Sequence, residues 1–195
     1  MKLVLASASS RRADILSTLG LVFEVVPAHV DESRHPEENP QAYVERLSRE
    51  KALAVAGPGL VVVACDTVVA HGGRILGKPV HPEEARAMLR RLQGDSHEVV
   101  TGIAVAGHDG QPVLHSAVDV SEVVFLPMTE DEIVDYVASG EPMDKAGGYA
   151  LQGVGSLHVE AVHGSPYTVI GLPVHLLPRL LGRLGHRLGS FRAAG

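Results

Sequence analysis

The sequence is short of the residues that define several protein classes. Among its 195 residues there is one cysteine and no tryptophan, and the aromatic residues are four tyrosines and three phenylalanines. A single cysteine excludes an intramolecular disulfide framework and a multi-cysteine zinc site, and it fits a reducing compartment, so we expect a cytoplasmic protein.

The sequence also lacks a long hydrophobic run and an excess of positive charge. The longest apolar stretch, near residues 60–64, is far shorter than the roughly 20 residues of a membrane span. A net charge of −6, from 17 basic and 23 acidic residues, argues against a protein that coats nucleic acid. We therefore expect neither a membrane nor a nucleic acid as partner, and a site for an anion must gather its positive charges locally.

What the sequence does have is an alternation of strand and helix patterns. It is 45% hydrophobic and 21% charged, as is ordinary for a globular protein. The patterns indicate an α/β protein with a mixed, mostly elongated sheet flanked by helices. They predict strands at 2–6, 22–26, 60–70, 99–106, 113–125 and 157–162. They also predict helices at 10–19, 39–56, 81–92, 130–139 and 174–188, the fourth of which begins at a capping box over 129–132.

Two of the predicted helices carry particular expectations. The helix at 39–56 begins at an Asn-Pro pair, and its apolar face is predicted from Tyr43, Leu47 and Ala54. The segment 174–188 alternates leucines with arginines. We predict a terminal helix packed on the protein, with a surface helix that contacts a membrane or partner as the alternative.

Residues 6–12, Ala-Ser-Ala-Ser-Ser-Arg-Arg, stand at the turn from the first predicted strand into the first predicted helix. A helix start presents backbone N–H groups and the positive end of the helix dipole, and serine and arginine add donors that match phosphate oxygens. The segment therefore suits a phosphate. The alternative is an ordinary serine cap followed by two solvated arginines.

Asp66 follows Cys65 inside a run of valine and alanine. A carboxylate in such a strand is unfavourable unless it binds a cation or accepts several hydrogen bonds. We favour a functional role for Asp66. The alternative places it at the end of the strand, where it would cap a turn.

Two glycine-rich stretches offer further candidates. Residues 72–79 come close to the phosphate-binding loop G-x-x-x-x-G-K-[ST], but Pro79 replaces the hydroxyl residue that would hold Mg²⁺. We therefore expect a hairpin turn and a short strand here, with Lys78 as a positive charge for a phosphate. Residues 144–153 allow a ligand to approach the backbone closely, and they offer Lys145 and Gln152 as a charge and an amide.

Together these segments resemble the Maf family of nucleoside triphosphate pyrophosphatases. The resemblance runs from Leu5 to about Pro173, and the order and spacing of its motifs are far more specific than any single one. The segments that carry it are LASASSRR, Glu32 after Asp31, SREKALAVA with Lys51, CDTVV with GKP, HEVVTG with His97, KAGGYALQG and GSPYTVIGLP.

The resemblance implies a fold and a reaction. It implies one domain over residues 1–195, with two α/β lobes around a central cleft and a C-terminal helix and tail over 174–195, similar to inosine triphosphate pyrophosphatases. Water would attack the α-phosphorus of a nucleoside triphosphate and release a monophosphate and pyrophosphate, with Mg²⁺ or Mn²⁺ as cofactor. A homodimer is left open.

The resemblance also implies roles for individual residues. Asp66 matches the catalytic base, and it would hold the cation with Glu32; whether it is mainly base or ligand is left open. Arg12, Lys51 and Lys78 match positions that meet the triphosphate. The implied substrate-binding residues are Ser7, Ser9, Arg11, Thr67, Lys145 and Gln152.

Three of these residues, Arg11, Thr67 and Gln152, match the branch that prefers dTTP and UTP. A glutamine amide can accept from a pyrimidine N3–H and donate to O4, whereas cytosine lacks the N3 proton. Two alternatives stay open. One is the same reaction on 7-methyl-GTP or another modified nucleotide, and the other is a regulator of cell division that binds nucleotide without turnover.

Overall fold

The structure is a computed structural model that describes residues 1–193, with every side chain among them except that of Asp109. The last two residues of the predicted tail lie outside it. In the described chain the strands are β1 Lys2–Leu5, β2 Phe23–Val25, β3 Leu60–His71, β4 Arg74–Leu76, β5 Ser96–Asp109, β6 Gln111–Phe125 and β7 Val159–His163. The α-helices are α1 Ser10–Thr18, α2 Pro40–Val55, α3 Pro82–Leu92, α4 Glu130–Ala138, α5 Pro166–Ile170 and α6 Leu177–Arg183.

The described strands form one mixed sheet. Its order is β2-β1-β3-β5-β6-β7, and β4 pairs with β3 off this path. β1 runs parallel to both β2 and β3, with Leu5 opposite Val25 and Val63. β4 is antiparallel to β3, and β7 is antiparallel to β6. The predicted class, α/β with a mixed sheet flanked by helices, is confirmed.

The chain forms two compact units. The first unit comprises Met1–Asp66, Thr101–Asp119 and the chain from Gly171 onward, and the second comprises Thr67–Val100 and Val120–Ile170. Strands β3, β5 and β6 therefore contribute residues to both units.

In the first unit, α2 packs closely against the sheet because the sheet residues beneath it are small. A Cβ added at Gly102 would lie 2.3 Å from the carbonyl oxygen of Val44 in α2, a distance that only glycine tolerates. This close approach brings the buried face of α2 within reach of β3. Three small sheet residues, Ala64, Ala104 and Ala106, share a core cluster with Ala52 of α2 and with Ala6, which directly follows β1.

In the second unit, α3 and α4 cover a separate core. The capping box predicted at the start of α4 is present, because Thr129 and Glu132 each accept a hydrogen bond from the other's backbone N–H. α3 begins with a proline in its first turn, after His81 accepts from the N–H of Glu84. The core beneath them includes Leu89, Leu92, Val123, Phe125, Ile133, Tyr136 and Tyr149.

The structure corrects the predicted terminal helix. The predicted helix over 174–188 is shorter, because α6 spans Leu177–Arg183 and Gly185 then adopts a φ of 78°. Leu177, Leu180 and Leu181 are buried, so the packed helix that we favoured is confirmed. No helix in the described part of the chain is long and apolar enough to cross a membrane.

The structure also corrects the face of α2 and the last strand. Ala54 is exposed, and the buried stripe of α2 consists of Val44, Leu47, Ser48, Lys51 and Ala52. The last strand begins at Val159 instead of Leu157, because the preceding residues form a 3-10 turn. A hydrophobicity pattern does not identify the buried face of α2, because that face contains the charged residue Lys51.

Candidate functional site

The topology of the first unit indicates that a ligand binds near the carboxyl end of β1. β1 lies between β2 and β3, and the chain passes from β1 to β2 on one side and then to β3 on the other. In open parallel sheets, ligands bind outside the carboxyl ends of the strands at such a switch point. The N–H of Ala6 donates to the carbonyl of Val63 at 2.8 Å, so the turn after β1 begins beside the part of β3 that leads to Asp66.

That turn is organised around the hydroxyl of Ser7, which is buried. Ser7 Oγ accepts from the N–H of Ser9 at 3.2 Å and from Nη1 of Arg12 at 3.0 Å. Arg12 Nε donates to the carbonyl oxygen of Gly171 at 2.8 Å. A serine hydroxyl has two acceptor lone pairs and one proton, so the O–H of Ser7 is the group that can donate to a ligand.

The alternative of a serine cap followed by two solvated arginines is wrong. Ser9 is the N-cap residue of α1, but in the described structure its side chain makes no capping hydrogen bond. Arg11 and Arg12 are both half-buried, and Arg12 is held by Ser7 and Gly171. A helix start of this kind can bind an anion through its N–H groups.

The second part of the site is an ion cluster centred on Lys51, which lies on the buried face of α2. Lys51 Nζ is 2.7 Å from Asp66 Oδ1 and 2.7 Å from Glu32 Oε1. The Lys51 and Asp66 side chains are 10% and 12% exposed, whereas that of Glu32 is 60% exposed. Asp66 lies in the middle of β3, on the same face as Val62 and Ala64, so the alternative that it caps a turn is wrong.

Glu32 belongs to a loop that α2 holds in place. The hydroxyl of Tyr43 donates to the Glu32 carbonyl oxygen at 2.7 Å. Arg46 Nη2 donates to the Ser33 carbonyl at 3.0 Å and to the Glu38 carboxylate at 2.9 Å. The hydrogen bond from Arg46 lowers the pKa of Glu38 to about 2, so this clamp stays ionised at neutral pH. The same helix thus supplies Lys51 and positions Glu32.

Burial sets the proton affinity of Asp66. Loss of hydration raises the pKa of its carboxyl above the ordinary value, Lys51 and then Arg12 oppose the rise, and Glu32 adds to it. A carboxylate with a raised pKa is a stronger base, as proton abstraction near neutral pH requires. Beside it, burial raises the pKa of the Cys65 thiol to about 12, as is typical of a cysteine packed in the core.

The carboxylates of Glu32 and Asp66 also fit a divalent cation. They are hard oxygen ligands of the kind that Mg²⁺ and Mn²⁺ prefer, and both already converge on one positive charge, the ammonium of Lys51. Among the side chains that the structure describes, no three His, Cys, Asp or Glu form a metal-binding group. Such a cation would take its remaining ligands from water and from substrate phosphates, as Mg²⁺ usually does.

The second unit contains the predicted Lys78. As expected, residues 72–79 form a glycine turn, the short strand β4 and a loop, and they do not form a phosphate-binding loop that leads into a helix. Lys78 is exposed in that loop. The loop is tied to the glycine-rich segment because the N–H of Gly147 donates to the carbonyl oxygen of Gly77 at 3.0 Å.

Three more predicted residues lie in this unit. Lys145 donates to the carbonyl oxygen of Glu141 at 2.7 Å and pairs with Asp144, so its ammonium is already engaged within its own loop. Gln152 is exposed, and Thr67 is half-buried on β3 directly after Asp66. The structure brings together Ser7, Arg12, Glu32, Lys51 and Asp66 within the first unit.

Sequence reasoning missed the residues that hold the others in place. Tyr43 donates to the backbone carbonyl of Glu32, and the backbone carbonyl of Gly171 accepts from Arg12. A pattern of side-chain types does not predict contacts to backbone carbonyls. A weak signal existed for Gly171, since it lies in the closing segment GSPYTVIGLP. Its φ of 115° requires glycine.

The fold and the site together define an α/β protein in which a turn rich in hydrogen-bond donors and a lysine-bridged pair of carboxylates lie within one unit. The family model described as Maf-like protein matches residues 2–184. The chain therefore belongs to the Maf family, as the sequence motifs predicted.

Curated relatives agree over nearly the whole chain. A dTTP/UTP pyrophosphatase of Anaeromyxobacter sp. (strain Fw109-5) is 50% identical over 192 residues, which cover 96% of this chain and 91% of the relative. The dTTP/UTP pyrophosphatase of Aquifex aeolicus (strain VF5) is 42% identical and covers 98% of this chain and 100% of the relative. Among solved structures, a HAM1 protein from Coxiella burnetii is 19% identical, covers 64% of this chain and 73% of its own, and gives a TM-score of 0.41.

Proposed function

We propose that this protein is an enzyme that hydrolyses dTTP and UTP to the nucleoside monophosphate and pyrophosphate. The single observation that carries the proposal is the buried Asp66 carboxylate on β3, which Lys51 links to Glu32. The relatives named as dTTP/UTP pyrophosphatases support the choice of substrate, since they cover nearly the full chain.

In the proposed reaction, a water molecule attacks the α-phosphorus. Its oxygen forms a bond to phosphorus while the bond from the α-phosphorus to the bridging oxygen breaks, and pyrophosphate leaves with that oxygen. Asp66 accepts the proton of the attacking water, and its raised pKa makes it suited to do so. The products are one monophosphate and one pyrophosphate for each water consumed.

The first unit offers donors for the phosphate oxygens. Arg12 is oriented by Ser7 and Gly171, and the Ser7 hydroxyl and the start of α1 add N–H and O–H groups. Lys51 has three N–H donors, two of which meet carboxylates, so one can meet a phosphate oxygen. Arg11 and Ser9 stand beside these groups, and we propose that they also contact substrate.

We further propose that Glu32 and Asp66 hold Mg²⁺ or Mn²⁺. The cation would neutralise charge that develops on the phosphates.

In the second unit, we propose that Lys78 and Lys145 meet phosphate charge and that Gln152 reads the base. Gln152 is exposed, and its amide can pair with the N3–H and O4 that uracil and thymine share. Thr67 is proposed to contact substrate beside Asp66. The acidic excess elsewhere in the chain fits a free nucleotide as ligand better than a long nucleic acid, and we expect the enzyme to work in the cytoplasm.

A nucleotide panel tests the proposal. The protein is incubated with Mg²⁺ and with UTP, dTTP, CTP, GTP and 7-methyl-GTP in parallel, and pyrophosphate and phosphate are measured separately. We expect pyrophosphate from UTP and dTTP at least about tenfold faster than from CTP, because cytosine lacks the N3 proton that Gln152 would bind.

Other outcomes of the panel favour the alternatives. Fastest turnover of 7-methyl-GTP would move the substrate assignment to modified nucleotides. Tight nucleotide binding with no product at all would favour a binding regulator, and release of phosphate without pyrophosphate would contradict the reaction class.

A further inference from the structure

The glycine-rich loop of the second unit is fastened on both sides of Gln152 by two side chains outside the loop. The hydroxyl oxygen of Tyr136, in α4, accepts a hydrogen bond from the N–H of Ala150 at 3.1 Å. The carboxylate of Glu141, in the turn after α4, accepts from the N–H of Gly155 at 3.2 Å. Gln152 lies between these two fixed amides and is itself exposed.

The contacts are close enough to require glycine at two positions. A Cβ added at Gly155 would lie 2.3 Å from the hydroxyl of Tyr136. At Gly153 an added Cβ would meet the Glu141 carboxylate, and the φ of 123° there is a conformation that other residues rarely adopt. The loop backbone is therefore pressed against both side chains, and these contacts define its path around Gln152.

The base of the loop is fixed as well. Tyr149 is buried, its hydroxyl shares a hydrogen bond of 2.8 Å with Nε2 of His97, and its ring stacks edge-on against Phe125. Burial lowers the pKa of His97 to about 4, so its ring is neutral at pH 7. Glu141 also accepts from Lys145 through its carbonyl oxygen.

We propose that Tyr136 and Glu141 are positioning residues for base selectivity, which act by holding the backbone on either side of Gln152. The inference rests on the proposed function, in which the Gln152 amide distinguishes uracil and thymine from cytosine. Such discrimination depends on a donor and an acceptor that are already in place, since a displacement of about 1 Å removes most of the benefit of a directed hydrogen bond. A loop that moves would contact uracil and cytosine equally poorly.

The test uses paired variants of the full-length protein. Tyr136→Phe keeps the buried ring and removes the hydroxyl, and Glu141→Ala removes the carboxylate. Glu141→Gln keeps an oxygen that can accept from Gly155, and Tyr167→Phe removes an exposed hydroxyl from the same unit as a control. The readouts are kcat/KM for UTP and for CTP, and amide hydrogen exchange at residues 150 and 155.

The proposal makes one expectation for each readout. Tyr136→Phe should speed exchange at residue 150, and Glu141→Ala should speed it at residue 155. Both should lower the UTP/CTP ratio of kcat/KM by about tenfold, mainly through the UTP value. Glu141→Gln and Tyr167→Phe should keep the ratio within about twofold of the unmodified protein.

Two results would overturn the proposal. Equal losses for UTP and CTP would show a merely structural role, and an unchanged ratio despite faster exchange would show that loop order does not set selectivity. Pyrophosphate release by the unmodified protein distinguishes failure of this inference from failure of the proposed function. If it releases no pyrophosphate from UTP, the proposed function falls and the inference falls with it.

Discussion

Asp66→Asn should reduce the rate of pyrophosphate release by roughly 10² or more, because it removes the group that accepts the proton of the attacking water. The amide has nearly the same shape, and its oxygen can still accept from Lys51. Nucleotide affinity, measured by calorimetry in Ca²⁺ or without metal, should change far less than kcat. A variant that retains more than a tenth of the activity would contradict the role of Asp66 as base.

The same variant should remain folded. The folded-state pKa of Asp66 is raised above the ordinary carboxyl value, so its contribution to stability is present at low pH and is lost as the pH rises through the folded-state value. At neutral pH the ionised carboxylate therefore opposes folding, and an amide removes that effect. We expect the midpoint of thermal unfolding to fall by no more than about 4 °C. A larger fall in the midpoint would mean that the variant loses activity because it unfolds.

Lys51→Met should have the second large effect, on activity and stability together. Loss of its ammonium leaves two carboxylates facing each other and removes a donor to the phosphates, for which we expect a loss of roughly 10²–10³ in kcat/KM. Breaking a buried pair by removing one partner destabilises by about 3 kcal/mol, which corresponds to several degrees in the unfolding midpoint. Added Mg²⁺ should raise the midpoint more in the variant than in the unmodified protein, since the cation can neutralise the same carboxylates.

The pH dependence gives Lys51→Met a readout of its own. Lys51 opposes the rise in the pKa of Asp66, so without it that pKa should rise further. The acid limb of the kcat/KM profile should therefore move to higher pH. A limb that stays in place would mean that Asp66 is not the group whose ionisation the rate reports.

A matched control exists within the chain. Lys2 and Glu24 form an ion pair at 2.7 Å, the same length as the Lys51–Asp66 pair, but their side chains are 68% and 56% exposed. Exposed ion pairs contribute little to stability, so Lys2→Met and Glu24→Gln should leave both the midpoint and the activity close to those of the unmodified protein. Losses as large as those of Lys51→Met would mean that the loss of one charge, and not the burial of the ion pair, causes the fall in stability and activity.

Local patterns predicted most of the fold. The capping box at Thr129, the Asn-Pro start of α2 and the glycine turn before β4 were all correct, because each is a signal carried by neighbouring residues. The buried face of α2 was predicted correctly only at Leu47, since Lys51 is charged and a hydrophobicity pattern excludes it. The burial of Lys51 depends on its ion pair with Asp66, which lies on another element. The pair forms only because α2 packs closely on the small residues of the sheet.

The chemistry of the site was predictable in part. The turn after β1 and the carboxylate of Asp66 were visible as unusual residues in their local settings, and the structure places both in the first unit. The arrangement of Glu32 over Lys51 and the carbonyl contact from Gly171 to Arg12 could not be predicted from spacing. Both join segments far apart in the chain, so they exist only after the sheet order and the packing of α2 are established.

Hydrolysis of UTP in ¹⁸O-labelled water tests the central claim most directly. If the water that Asp66 activates attacks the α-phosphorus, mass spectrometry should find one ¹⁸O atom in UMP and none in pyrophosphate after a single turnover, and the Asp66→Asn variant should form both products at a rate lower by roughly 10². Label in pyrophosphate, or products consisting of UDP and phosphate, would contradict the account.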